Sequence, residues 1–218
     1  MSAIEFQNVS KRYGDRTVIQ DLSFQIQSGE RVVIHGPSGC GKTTVLRLMA
    51  GFLAPDAGTI FIGGQEVAGR GRILSGPEDR KLGMVFQDLA LWPHLTVRQN
   101  LDFALKAQGL SGPIRKKRIT EMLARVRLAG TELVYPTRLS GGQQQRVAIA
   151  RALVSQPLAL LMDEPLSNLD DELKEELCSQ LLNLHAQLGF TLVYVTHHKE
   201  EIRRMGTRAI PLRAADGM

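Results

Sequence analysis

The segment GPSGCGKT at residues 36–43 constrains this chain more than any other. It follows a short apolar run, RVVIH at 31–35, and precedes TTVLRLMA at 43–50, which reads as a helix with Gly51 as its cap. Strand, glycine-rich turn and helix in that order make a cradle for phosphate. Gly36, Gly39 and Gly41 let the backbone curl so that N–H groups point inward, with Pro37, Ser38 and Cys40 between them. Lys42 brings positive charge to the β and γ phosphates of a nucleotide, and the Thr43 hydroxyl suits Mg²⁺, which takes oxygen ligands. The helix beginning at Thr43 and Thr44 adds the positive end of its dipole.

Such a cradle needs a buried sheet behind it, and 218 residues are enough for one. The composition is that of an ordinary globular chain, 43% hydrophobic and 22% charged, with a mildly basic net charge of +5. That charge suits a membrane surface or a nucleic acid as partner but does not specify the fold. No run of 18 apolar residues occurs, so no spanning helix is expected. The start, MSAIEFQNVSKRYG, lacks the pattern of a secretory signal. Cys40 and Cys178 are far apart in the sequence and without CxxC spacing, which points to a reduced, cytosolic compartment.

Residues 4–9 and 22–27 alternate apolar and polar as half-exposed strands do, and 59–62 form a further short strand closed by Gly63 and Gly64. Residues 66–81, rich in Gly, Arg and Pro, are expected to be an exposed connection. A strand at 83–86 ends at Gln87, and 96–130 read as mostly helical with a break around Gly109 to Pro113. The RKKR cluster at 115–118 fits a solvated helix face better than a nucleic-acid patch. The last third alternates helix 142–155, strand 158–162, helix 171–188 and strand 191–195, the pattern of a parallel sheet with crossover helices. Near-continuous apolar runs suit strands buried on both faces.

In LALLMDE at 158–164 a buried strand runs into two acids. Asp163 is placed to hold Mg²⁺ and Glu164 to polarise an attacking water, at the sheet edge where α/β folds bind ligands. The alternative at this point is a strand followed by a solvated turn.

Residues 139–143 are LSGGQ, followed by QQRVAIARAL. Ser140, Gly141, Gly142 and Gln143 thus open a second helix whose N-terminus is an anion site. This stretch resembles the signature motif of ATP-binding-cassette (ABC) ATPases, and the resemblance extends from Tyr13 to about residue 212. It implies an α/β P-loop NTPase fold. In that fold the core sheet is mostly parallel, an N-terminal antiparallel β subdomain is added, and a helical subdomain at about 88–155 carries the signature. It further implies a single cassette domain over 1–218, binding ATP and Mg²⁺, in a head-to-tail dimer where the signature of one subunit caps the nucleotide held by the other. Tyr13 in KRYG matches the residue that stacks on adenine. Gln87 matches the glutamine that touches Mg²⁺ or water and senses the membrane subunit. Asp170 in SNLD (167–170) matches a contact to the opposite subunit, and His197 the histidine on the γ-phosphate.

Two departures stand out. His198 occupies a position where importers often carry an acid, and the chain stops soon after RAIPLR, where many importer subunits continue into a C-terminal regulatory domain, so regulation of that kind is not expected. The implied partners are a second ATPase subunit (a copy or a paralogue), separate transmembrane permeases and a possible substrate-binding protein. No nucleic acid is expected, and the implied location is the inner face of the cell membrane. FQDLALWPHLTVRQNL at 86–101 is similar to the importers for iron, thiamine, spermidine or sulfate. The alternatives are an exporter or lipoprotein-release ATPase, a soluble ABC ATPase outside transport, and a nucleotide-binding regulator without turnover.

Overall fold

The apolar run RVVIH forms β3 (Arg31–His35), and its neighbours in space explain why it is so apolar. In the computed structural model, which describes residues 1–167 and 169–213, β3 lies inside a five-stranded parallel sheet ordered β10-β3-β9-β8-β7. The other strands are β7 (Leu82–Val85), β8 (Ala159–Asp163), β9 (Thr191–Val195) and β10 (Arg208–Pro211). Every residue of β8 and β9 is buried.

The period of two along each strand divides these side chains between two cores. Leu160, Met162, Leu192 and Tyr194 join the core on the helical side. That side is built by α2 (Val97–Lys106), α3 (Gly112–Arg125), α4 (Gly141–Leu153), α5 (Asp171–Leu188) and α6 (Lys199–Met205). Leu161, Val193 and Val195 face the opposite core with α1 (Lys42–Ala50) and the second sheet. That sheet is antiparallel where it is paired, ordered β2-β1-β4-β5-β6. Its strands are β1 (Ser2–Tyr13), β2 (Arg16–Gln27), β4 (Ala57–Ile62), β5 (Gln65–Gly69) and β6 (Arg72–Ile73). β1 and β2 form a long hairpin, longer than the two strands expected from alternation, and its register shifts where Asn8 and Asp21 take a positive φ.

Residues 66–81 correct the sequence reading. They contain most of β5 and all of β6, and they bury Arg80 to 2% exposure. Arg80 donates to the carbonyls of Leu48 and Met49 (both 2.8 Å), Ser75 (2.9 Å) and Val67 (3.0 Å). One guanidinium thereby satisfies the open C-terminal end of α1 and pins the loop to it. Burial lowers its pKa to about 10, leaving it charged. The expected solvated RKKR face also divides. Arg115 bonds Asp102 on α2 at 2.6 Å and the Leu110 carbonyl at 2.6 Å, bracing the α2–α3 joint.

Four parallel strands end on the same edge. β3 leads into 36–43, β7 into Gln87, β8 into Glu164 and β9 into His197, so the C-terminal edge of the sheet collects them.

Candidate functional site

The loop after β3 is shaped by close backbone approaches. A side-chain carbon on Gly36 would lie 2.5 Å from the Leu212 carbonyl oxygen and 2.7 Å from the Cys40 sulfur. Gly41, at φ 98°, precedes α1 and would press such a carbon to 2.6 Å from Ile19. Glycine is required at both positions, by space at the first and by space and conformation at the second. The Cys40 thiol turns away from the cradle into the core beneath it. The residue's N–H donates to the Pro37 carbonyl at 3.3 Å.

Lys42 is 6% exposed, with Nζ donating to the Gly36 (3.1 Å) and Pro37 (3.2 Å) carbonyls and lying 3.7 Å from Glu164 Oε1. The loop thus carries its cation within its own curl. Thr43 follows on α1 and donates its hydroxyl to Asp163 Oδ1 at 3.2 Å, which ties the start of α1 to the end of β8. Burial pushes the Asp163 carboxyl up and the Glu164 charge adds to this, while the Thr43 hydrogen bond, Arg47 and Lys42 oppose it.

Glu164 leaves the strand in the left-handed region, at φ 43°, with its N–H on the Val195 carbonyl at 3.1 Å. Its carboxylate meets His197 Nδ1 at 3.2 Å. Lys42, Glu164 and His197 therefore form one connected line, with the Thr43–Asp163 pair beside it. The His198 ring lies against that of His197, centroids 4.2 Å apart and tilted by 34°, and His198 leads into α6. Gln87 is exposed just beyond β7.

The hydroxyl and carboxylate of Thr43 and Asp163 fit a hard cation such as Mg²⁺. Among the described residues no group of three or more His, Cys, Asp or Glu would hold a metal on its own. That suits an ion completed by water and phosphate oxygens rather than one held in a protein cage.

The second helix end is capped from within. The Ser140 hydroxyl accepts from the Gln143 N–H at 3.3 Å and the Gln143 side chain accepts from the Ser140 N–H at 3.0 Å, a reciprocal capping box. Gly141 and Gly142 form the first turn, and a side-chain carbon on Gly142 would touch Leu173 at 2.9 Å. Asp170 caps α5 by accepting from the Leu173 N–H at 2.9 Å. Asn168 lies outside the described residues. Among the described residues no hydrogen bond joins 139–143 to 36–43, so the two helix starts stand as separate features. Tyr13 sits at the tip of the β1–β2 hairpin, 46% exposed and opposite Arg16.

Arg151 on α4 is a positioning residue that motif reading passed over. It donates to the carbonyls of Ala90 (2.5 Å) and Leu89 (2.8 Å), with its guanidinium 5.0 Å from the centre of the Trp92 ring. The loop following Gln87 is thereby clamped to the helix that begins at the signature. Its only sequence signal is an arginine inside QQRVAIARAL. Aromatic pairs Phe52–Phe86 and Trp92–Phe103 flank this loop, with Phe52 and Phe103 exposed.

Residues 19–167 match the sequence model of the family described as "ABC transporter". The chain is 47% identical over 208 residues to the spermidine/putrescine import ATP-binding protein PotA of Chromobacterium violaceum. That alignment covers 95% of this chain and 56% of the relative. It is 46% identical over 209 residues to the xylose/arabinose import ATP-binding protein XacJ of Haloferax volcanii, covering 95% and 53%. The chain thus spans about half the length of the curated relatives it matches. Among solved structures it resembles cbiO1 of Clostridium perfringens, part of the ABC transporter complex cbiONQ. The TM-score is 0.87 at 26% identity, over 97% of this chain and 85% of that one.

Proposed function

The chain belongs to the ABC transporter family, and on that premise we propose that it binds and hydrolyses ATP to drive import through separate permease subunits. The observation that carries this reading is the connected line Lys42–Glu164–His197 beside the Thr43–Asp163 pair, on the sheet edge below the 36–43 loop.

In the reaction we assign, water attacks the γ-phosphate in line. The loop N–H groups and Lys42 hold the phosphates and balance the growing charge. Glu164 orients the water and accepts its proton. His197, already on the Glu164 carboxylate, holds that carboxylate and the γ-phosphate in place. Thr43 and Asp163, with Gln87 nearby, are the residues for Mg²⁺, whose positive charge serves the phosphate oxygens when it is bound. Tyr13 offers an exposed ring for the adenine. Ser140, Gly141, Gly142 and Gln143 present their helix end to the nucleotide of a second cassette, and Asp170 lies at the same interface. This arrangement needs a head-to-tail pair of chains.

Import is favoured by the PotA and XacJ relatives, both import ATP-binding proteins. The exposed Phe52 and Phe103, beside the Gln87 loop clamped by Arg151, suit a permease contact at the inner face of the membrane. No described helix is long and apolar enough to cross a membrane, and in this reading separate permease subunits supply the spanning part. A substrate-binding protein on the far side completes such a system, and the cargo is not met by any residue of this site.

The test is steady-state ATP hydrolysis. Glu164→Gln is expected to keep nucleotide binding while turnover falls on the order of 100-fold or more. Turnover within a fewfold of the unaltered chain would remove Glu164 from that role.

A further inference from the structure

A cavity of about 370 Å³ lies at the end of the parallel sheet opposite the nucleotide edge. Its walls include Met122 on α3, Leu153 at the end of α4, Leu158 just before β8, and Phe190 just before β9. Leu158 and Phe190 precede the strands whose far ends carry Asp163 and Val195. A five-residue strand spans roughly 15 Å, so the cavity and the nucleotide edge are separated by about the length of the strands. The floor is apolar, with Met122, Leu153 and Phe190 all buried.

The charged groups of the lining all come from α3, while Ser28, Gln156 and Thr191 add neutral polar groups elsewhere. Arg118 and Arg125 both line the cavity, seven residues apart and hence on one face of α3. Among the described residues neither guanidinium has a carboxylate within salt-bridge distance. Glu121, between them, also lines the cavity and lies 4.0 Å from Lys117 in an exposed pair, so the two arginines leave the wall with a net positive charge. Arg118 belongs to the RKKR cluster, and the rest of the fold gives it no task, whereas Arg115 braces α2. A cavity above about 300 Å³ with apolar walls and a few convergent polar groups is the usual form of a small-molecule site. Guanidinium forks match carboxylates in charge and geometry.

We propose that this cavity binds a small amphiphile with an apolar body and a single carboxylate headgroup, the body on Met122, Leu153 and Phe190 and the carboxylate between Arg118 and Arg125.

The test is a fluorescence titration with 8-anilinonaphthalene-1-sulfonate in saturating ATP and Mg²⁺, displaced by decanoate or by neutral 1-decanol. The expected result is one saturable site from which decanoate displaces the probe at least tenfold better than 1-decanol does. The double variant R118A/R125A should weaken decanoate tenfold or more, and R118K/R125K less. Nucleotide binding and the circular dichroism spectrum should stay unchanged in both. Should the alanine variant misfold, salt serves instead, because about 1 M shortens the Debye length to about 3 Å. Decanoate displacement should then weaken while that by 1-decanol does not. No saturable probe site, equal displacement by the two chains, or indifference to both the arginines and salt would each overturn the proposal.

Discussion

Glu164 holds φ at 43°, a conformation uncommon for a residue with a side chain, and the hydrogen bond of its N–H to Val195 helps to keep it there. The turn carries the carboxylate off the strand line to His197 and Lys42. Position matters here as much as charge, so Glu164→Asp, one methylene shorter, is expected to lose most of the turnover while nucleotide binding is kept. Turnover equal to that of the unaltered chain in the same assay would contradict this. The phosphate-loop pattern marked Lys42 in the sequence and the acids closing a buried strand marked Glu164, while His197 was implied by the resemblance to ABC ATPases. The left-handed turn was not legible, because motif spacing does not encode backbone dihedrals. Nor was the direction of the Cys40 thiol, which faces the core.

Cys178 is likewise buried, and burial pushes its thiol up to about 11 from an ordinary 9.0. Below pH 9 the thiol is neutral in both folded and unfolded chains and adds no pH dependence. Between about 9 and 11 the unfolded thiol ionises first, so stability is lost as pH rises through that window. Urea denaturation across it should show the loss, reduced in Cys178→Ala. An equal slope in the two proteins would exclude Cys178 as a source.

Among the elements, the parallel strands were the most legible. RVVIH and TLVYV became β3 and β9 at the boundaries read from their apolar runs, and α5 began and ended where its pattern did. Residues 66–81 were not legible, since Gly, Arg and Pro signal a loop, and what makes this stretch structured is pairing with β4 and a single buried arginine. Replacing Arg80 by Leu leaves carbonyls of Leu48, Met49, Val67 and Ser75 without their donor. A loss of roughly 2–4 kcal/mol in urea denaturation is expected. A change below about 0.5 kcal/mol would mean that water replaces the guanidinium. At the start of α4, Ser140→Ala removes one arm of the capping box. It should cost about 1 kcal/mol of stability, and by the proposed function it should also lower ATP turnover. The serine and the glutamine three residues later gave that box away in the sequence.

At the scale of the molecule, the chain holds the glycine-rich 36–43 loop on the parallel sheet and one capped helix end on the helical side, and in the proposed function each supplies half of an ATP site. The family resemblance had paired them across two subunits, and the structure adds the clamp by which Arg151 on α4 fixes the loop after Gln87. By the proposed function, this contact between α4 and the loop beside the exposed aromatics is where ATP binding would be passed to a permease. The most direct test of this account is the sedimentation of Glu164→Gln with and without ATP and Mg²⁺. With both, the protein should sediment at twice the mass of one chain with two nucleotides bound, and without them as a single chain. A nucleotide-saturated variant that stays a single chain at micromolar concentration would contradict the shared site.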